Sequence, residues 1–278
     1  MRVSTVSLAI AALFANSAFA GVVPSQVEKR DWNDAIQGAK AHSSASPTSA
    51  AAATPSSKAS SAPVAAPQTN TNVQTTTSAS TSSVDISSKL MSVGFANLGQ
   101  NSQASNGACW LGSGGPNVNT VKNAASESII VVVWGPAGSW MNTAGKPPLI
   151  TVALSPGQSQ VISCADISGG MSAIYGNTQL VNGQISNTWV EFTYGAWGTV
   201  DVSREVNMSG NSISVVGSKC TTDMSTCVFT CKSGNTCFEA GTYQLNNCGA
   251  QNGGQTDAAG MNGGCFMGTS AQLTTTFS

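Results

Sequence analysis

The 278-residue chain contains one histidine, His42, set in a Ser/Ala-rich stretch far from any cysteine. That scarcity removes Ser-His-Asp and Cys-His catalysis, and histidine-ligated metal, from everything beyond residue 42. No Cys-x-x-Cys knuckle and no Gly-x-x-x-x-Gly-Lys loop occurs, so neither a zinc ribbon nor a nucleotide phosphate cradle is expected, and no cofactor is implied. Charge is scarce and balanced, with eleven basic against twelve acidic residues. From Ile86 onward only six basic and eight acidic side chains remain. This excludes a basic face for nucleic acid or lipid headgroups. The surface must then be built from Ser, Thr, Asn, Gln and Gly, which suits sugar-rich surroundings and many other exported proteins alike. No apolar run reaches the ~18–20 residues of a membrane helix, so membrane insertion is not expected.

What is present begins with an address. Arg2, the apolar run Leu8–Ala15 and the small-residue site Ala18-Phe19-Ala20 follow the order of a cleavable secretory leader, placed at 1–20. Val27-Glu28-Lys29-Arg30 ends in a dibasic pair of the type cut in the secretory pathway, so 21–42 reads as a pro-segment and its flank. Residues 43–84 hold Ser, Thr, Ala, Pro, Asn, Gln and Val with Lys58 as the sole charge, and cannot bury enough apolar area to offset chain entropy. They read as a disordered linker with the composition of an O-glycosylated stalk. The expected location is extracellular or at a cell wall, as a monomer.

The remaining chain reads as all-β, over 109–278, behind a lead-in at 85–108 that Gly94 and Gly99 interrupt. Ser128–Trp134 is a continuous β-branched run suited to a strand buried on both faces. Leu149–Leu154, the turn Ser155-Pro156-Gly157-Gln158 and Ser159–Ser163 read as a hairpin. Further strands are expected near 118–121, 171–175, 188–194, 199–203, 211–217, 226–230 and 271–277, a spacing that indicates an antiparallel sandwich or barrel. The Gly pairs at 114–115, 169–170, 253–254 and 263–264 read as turns. Eight cysteines, Cys109, Cys164, Cys220, Cys227, Cys231, Cys237, Cys248 and Cys265, form an even set that an oxidising compartment would pair. Six fall between Cys220 and Cys265 and mark a loop-rich annex; the preferred pairing is three bonds inside it plus Cys109–Cys164.

Carboxylates are the chemistry left. Glu191 in Thr188–Tyr194 and Asp201 in Thr199–Ser203 would face one another if their strands pair, with Glu205 four residues on. Such a pair is what glycoside hydrolysis uses, with catalytic residues Glu191, Asp201 and Glu205. The competing reading is that they are solvated strand residues partnered by Arg204 or Lys219. Trp140 and Trp197, in Gly/Ser-rich loops, are candidate sugar-stacking residues. Asn207-Met208-Ser209 is an N-glycosylation sequon.

From about Asn117 to the end, the chain resembles the thaumatin-like (osmotin-type) family, particularly its fungal secreted, effector-like branch. The resemblance rests on Ser128–Trp134, on Leu154–Ser159, on Gly170–Tyr175, and above all on Val190-Glu191-Phe192-Thr193-Tyr194-Gly195 followed by Val200-Asp201-Val202-Ser203. It implies a flattened β-sandwich with disulfide-rich loops, and an acidic cleft, lined by Arg, Glu and two Asp, that binds β-1,3-glucan and in some members hydrolyses it weakly. Glu191 matches the Glu and Asp201 the first Asp. The second Asp falls near Val206, leaving Glu205 as substitute, and Gly176-Asn177 stand where the Arg is expected, leaving Arg204. Eight cysteines replace the sixteen of larger members. The expectation is a secreted protein that binds β-glucan or a protein target through the Glu191/Asp201 cleft, Arg204 included, without strong catalysis. The alternatives are an endo-β-1,3-glucanase and a structural wall glycoprotein.

Overall fold

Successive side chains of a strand point to opposite faces, so one run of sequence can serve two environments. Strand β3 (Ile129–Trp134) shows this most clearly in the computed structural model, which describes residues 83–136, 147–196, 198–257, 260 and 262–278. Ile129, Val131 and Val133 enter the main core, while Ile130, Val132 and Trp134 enter a second cluster on the opposite face. All six are buried, as the unbroken β-branched run requires. The expected leader, the pro-segment with Lys29-Arg30, and the linker as far as residue 82 lie outside the described residues.

The described chain is mostly strand. One sheet runs β1 (Cys109–Leu111), β5 (Ser159–Cys164), β2 (Asn117–Asn123), β17 (Gln272–Phe277), β11 (Ile213–Gly217) and β12 (Thr221–Thr222). A larger sheet runs β14 (Tyr243–Asn246), β13 (Val228–Cys231), β10 (Gly198–Ser203), β9 (Trp189–Thr193), β6 (Ser168–Ile174), β3 and β4 (Ile150–Leu154). The pair β15 (Gly254–Thr256) and β16 (Gly263–Gly268) joins it through β10, and β7 (Leu180–Val181) with β8 (Gln184–Ile185) forms a separate two-stranded ribbon. Pairing is antiparallel except for β2–β17 and β10–β13. Val121, Ile162, Ile213, Val215 and Phe277 from the first sheet share one core with Val131, Val190, Phe192, Val200 and Val202 from the second.

The Pro-Gly turn forms as its residues dictate: Gln158 N–H donates to Ser155 O at 3.0 Å, and Gly157 takes φ +78°, the requirement of a type II turn. It does not make the expected hairpin. β4 pairs with β3, whereas β5 pairs with β1 and β2 in the other sheet. A type II turn splays the strands it joins, whereas hairpins favour the primed types, so this corner carries the chain between layers. Buried Asn123 braces it, donating to Leu154 O at 2.8 Å and accepting at its carbonyl from Gly157 N–H.

The lead-in is a helix, α1 (Ser83–Val93), which takes the last two residues of the expected linker. Gly94 ends it at φ +105°; its N–H donates to Met91 O while Phe95 N–H donates to Leu90 O, both at 3.0 Å. That is a Schellman cap, and the expected contact between Leu90 and Phe95 is made within the second cluster. Gly94 terminates the helix rather than arguing against it. Residues 99–101 then run along the outer edge of β4, with Asn101 N–H donating to Leu149 O and Asn101 Oδ1 accepting from Thr151 N–H at 2.8 Å. An otherwise open sheet edge is thereby covered.

The cysteines form four disulfides: Cys109–Cys164, Cys220–Cys265, Cys227–Cys248 and Cys231–Cys237. The cysteine-rich segment is less detached than a loop annex. β13 and β16 both hydrogen-bond to β10, so it extends the larger sheet. Two of the Gly pairs are also not turns: Gly169-Gly170 sits inside β6 and Gly263-Gly264 opens β16.

Candidate functional site

β9 and β10 pair antiparallel with Asp201 directly opposite Glu191. The same row continues to Gly170 on β6 and Trp134 on β3. Alternation fixes which way the acids face, because Val190, Phe192, Val200 and Val202 fill the main core. Glu191 and Asp201 therefore stand together on the face of the larger sheet that carries Trp134 and Trp189. Side chains opposite one another in such a pair have Cβ atoms ~5 Å apart. Thr193 and Thr199 form the next row toward Ser168, whose hydroxyl lies 3.4 Å from that of Thr193.

These acids are not solvated strand residues: Glu191 and Asp201 are each 6% exposed and Glu205 is 7% exposed. Removing carboxyl groups from water is expensive, and placing like groups side by side adds to the cost. Glu205 is held through its main chain, its N–H facing Ser203 Oγ at 3.5 Å and its carbonyl accepting from Cys237 N–H at 2.9 Å. The short loop closed by Cys231–Cys237 therefore sets where Glu205 stands. Arg204 points its guanidinium at the main-chain carbonyls of Met224 (3.4 Å) and Met208. The arginine expected to stand in for the missing cleft arginine is thus anchored by backbone oxygens.

Trp134 is the aromatic of the site. A Cβ on Gly170 would lie 2.6–2.9 Å from its indole atoms, so the ring rests directly on the bare backbone of β6 beside Glu191. Trp189 meets it edge-on at 4.8 Å between ring centroids and is pinned by its Nε1–H to Ile185 O at 2.8 Å. Ser172 Oγ–H donates to Thr188 O at 2.8 Å and completes this corner. Trp140 and Trp197 lie outside the described residues. Sequence reasoning passed over Trp134 and Gly170 as parts of the site because only strand register brings them beside Glu191.

The sulfurs of Cys220, Cys227 and Cys265 lie within 4.8 Å of one another, but each belongs to a disulfide and offers no thiolate to a metal. The sequon residue Asn207 is half-buried, with Oδ1 accepting from Ser209 N–H at 2.9 Å.

Residues 114–265 match the model of the Allergen Asp f 4-like domain. No curated protein matches the chain. Seventeen chains among solved structures match, including the crystal structure of the protein elicitor MoHrip2 from Magnaporthe oryzae. That match is 12% identical, covers 58% of this chain and 98% of the other, and has a TM-score of 0.31.

Proposed function

The chain belongs to the Allergen Asp f 4-like domain family, and from its strand register we propose that it is an exported thaumatin-like protein that binds β-glucan through its acidic row. The observation that carries this reading is the register Trp134–Gly170–Glu191–Asp201 across four strands. It sets two carboxyl groups beside an indole on one sheet face. Carboxylates accept hydrogen bonds from sugar hydroxyls, and the buried Trp134 indole packs against the strand beside them as their support. Export is supported by the leader-like start and by four disulfides, which an oxidising compartment maintains. The thaumatin-type sandwich is supported by two sheets sharing one core and by the Val-Glu-Phe-Thr and Asp-Val-Ser strands lying side by side. Secretion with a wall-directed role follows from the same reading.

A second reading, weak endo-β-1,3-glucanase action, is favoured by the direct opposition of Glu191 and Asp201. Retaining glycosidases hold their carboxyl groups ~5–5.5 Å apart.

The test uses secreted protein and insoluble β-1,3-glucan, measuring bound protein and soluble reducing sugar together. Glu191→Gln and Asp201→Asn keep shape and remove charge. Wild-type binding that either variant loses, with no sugar released, supports the binder. Sugar released by wild type alone makes the chain a hydrolase. Wild-type protein that stays in the supernatant ends the glucan reading.

A further inference from the structure

The β7–β8 ribbon and the turn at 207–211 enclose a groove of about 180 Å³. That is below the ~300–1,000 Å³ of pockets that take free ligands, and leaves room for a single sugar ring. Its walls are amides and hydroxyls, chiefly Thr178, Gln179, Ser186, Asn187 and Asn211, with no charged or aromatic side chain among its described lining. Val181, 47% exposed, supplies the apolar wall.

The floor is rigid. Asn187 donates to Ala173 O at 3.0 Å and accepts from the N–H groups of Thr188 and Asn211 at 2.9 and 2.6 Å. Thr178 Oγ1 accepts from Tyr175 N–H at 3.0 Å. Asn207 stands on the rim, and its orientation is set. Its Oδ1 accepts from Ser209 N–H and from Asn235 Nδ2 at 2.9 and 3.0 Å, which turns Nδ2 toward Ser186 O and Oγ at 3.3 and 3.5 Å. The nitrogen of the sequon thus points into the groove, not out to solvent.

We propose that Asn207 carries an N-linked glycan whose first sugar seats in this groove, making it a berth for the chain's own sugar. In the attachment step Nδ2 bonds to the anomeric carbon of a lipid-diphosphate-linked oligosaccharide. The sugar–oxygen bond to the diphosphate breaks, the lipid diphosphate leaves with the electron pair, and one Nδ2 proton passes to the transferase's base. The second Nδ2–H remains and keeps one bond to Ser186. An N-acetylhexosamine then meets amides and hydroxyls with its own hydroxyls, and its acetyl methyl lies against Val181. The proposal rests on the export part of the preceding reading and is independent of glucan binding.

The full chain is expressed in a eukaryotic secretory host, and the Asn207 peptide from the medium is mapped by mass before and after peptide-N-glycosidase. The expected result is a hexosamine-containing mass lost in Asn207→Gln and in Ser209→Ala, with Asn207 converted to Asp by the glycosidase. If the chain stays inside the cell, the export reading fails, and residues 21–278 behind a host leader still report on the sequon. Unmodified Asn207 in exported protein overturns the proposal while leaving export intact. For the seat, the glycan is trimmed to one N-acetylglucosamine and amide exchange over 177–187 is compared with that of Ser209→Ala. Several-fold slower exchange and a nuclear Overhauser contact from the acetyl methyl to Val181 are expected. A sugar that changes neither overturns the seating.

Discussion

At the scale of single residues, Gly170 is the position on which the site turns. The Trp134 indole occupies the space of its missing side chain, with the nearest ring atom 2.6 Å from where a Cβ would sit. Gly170→Ala should displace the ring, cost about 1–3 kcal/mol as an overpacked core position does, and weaken glucan binding together with stability. Urea unfolding measures the first and glucan pull-down the second; an unchanged midpoint would mean that the ring does not rest there. Tyr175 makes a separate prediction. Burial, reinforced by the negative charge of Glu127, pushes its hydroxyl up to about 12, against about 10 for an unfolded tyrosine. Between those values the folded state keeps a proton that the unfolded state has lost. The stabilisation is therefore complete below pH ~10 and disappears as pH rises through ~12. Burial moves Tyr194 upward too, against a hydrogen bond from Asn119 that lowers it. The urea midpoint should fall as pH rises from ~10, and Tyr175→Phe should flatten that fall.

At the scale of elements, α1 and Phe95 complete the second cluster, so a domain cut at residue 105 removes Leu90 and Phe95 from over Ile130, Val132, Ile174 and Trp189. Leu90→Ala should cost about 2–5 kcal/mol by denaturant unfolding, as a fully buried leucine does. A chain beginning at 105 should melt well below one beginning at 83; equal melting temperatures would reduce the helix to an appendage. The helix was hard to read in the sequence because its glycine stop looked like an interruption. Long strands were legible wherever β-branched residues ran together, as in β3, β9 and β10, because that pattern reports burial directly. Two-residue strands such as β7 and β12, and Gly-rich β16, carry no such signal; hydrogen bonding to a neighbour makes them strands. Strand pairing is a property of two segments at once. The composition around Pro156 could announce a corner without saying that the corner changes layers. The Glu191/Asp201 opposition was legible as a condition on pairing, whereas the neighbouring Trp134 depended on a register two strands further away.

At the scale of the molecule, the four disulfides divide between two tasks. Cys109–Cys164 closes a loop of sequence separation 55 and stands at a paired position between β1 and β5, while Cys231–Cys237 closes one of separation 6 beside Glu205. The chain-entropy scale gives about 4 kcal/mol for the long loop and about 2 for the short one. Replacing both cysteines by serine should therefore lower urea stability roughly twice as far for the first pair as for the second. The second replacement alone should release the backbone of Glu205, seen as faster hydrogen exchange of the residue-237 amide in protein that remains folded. The position of β17 has a further consequence. The last described strand lies in the middle of its sheet, parallel to β2 on one side and antiparallel to β11 on the other. Phe277 is fully buried there, and Ser278 N–H donates to Ser212 O. During synthesis, every earlier strand of that sheet leaves the ribosome before the strand that joins its two halves. The two halves of that sheet, β1–β5–β2 and β11–β12, are consequently sealed together only once β17 has been made, which makes it the closing strand.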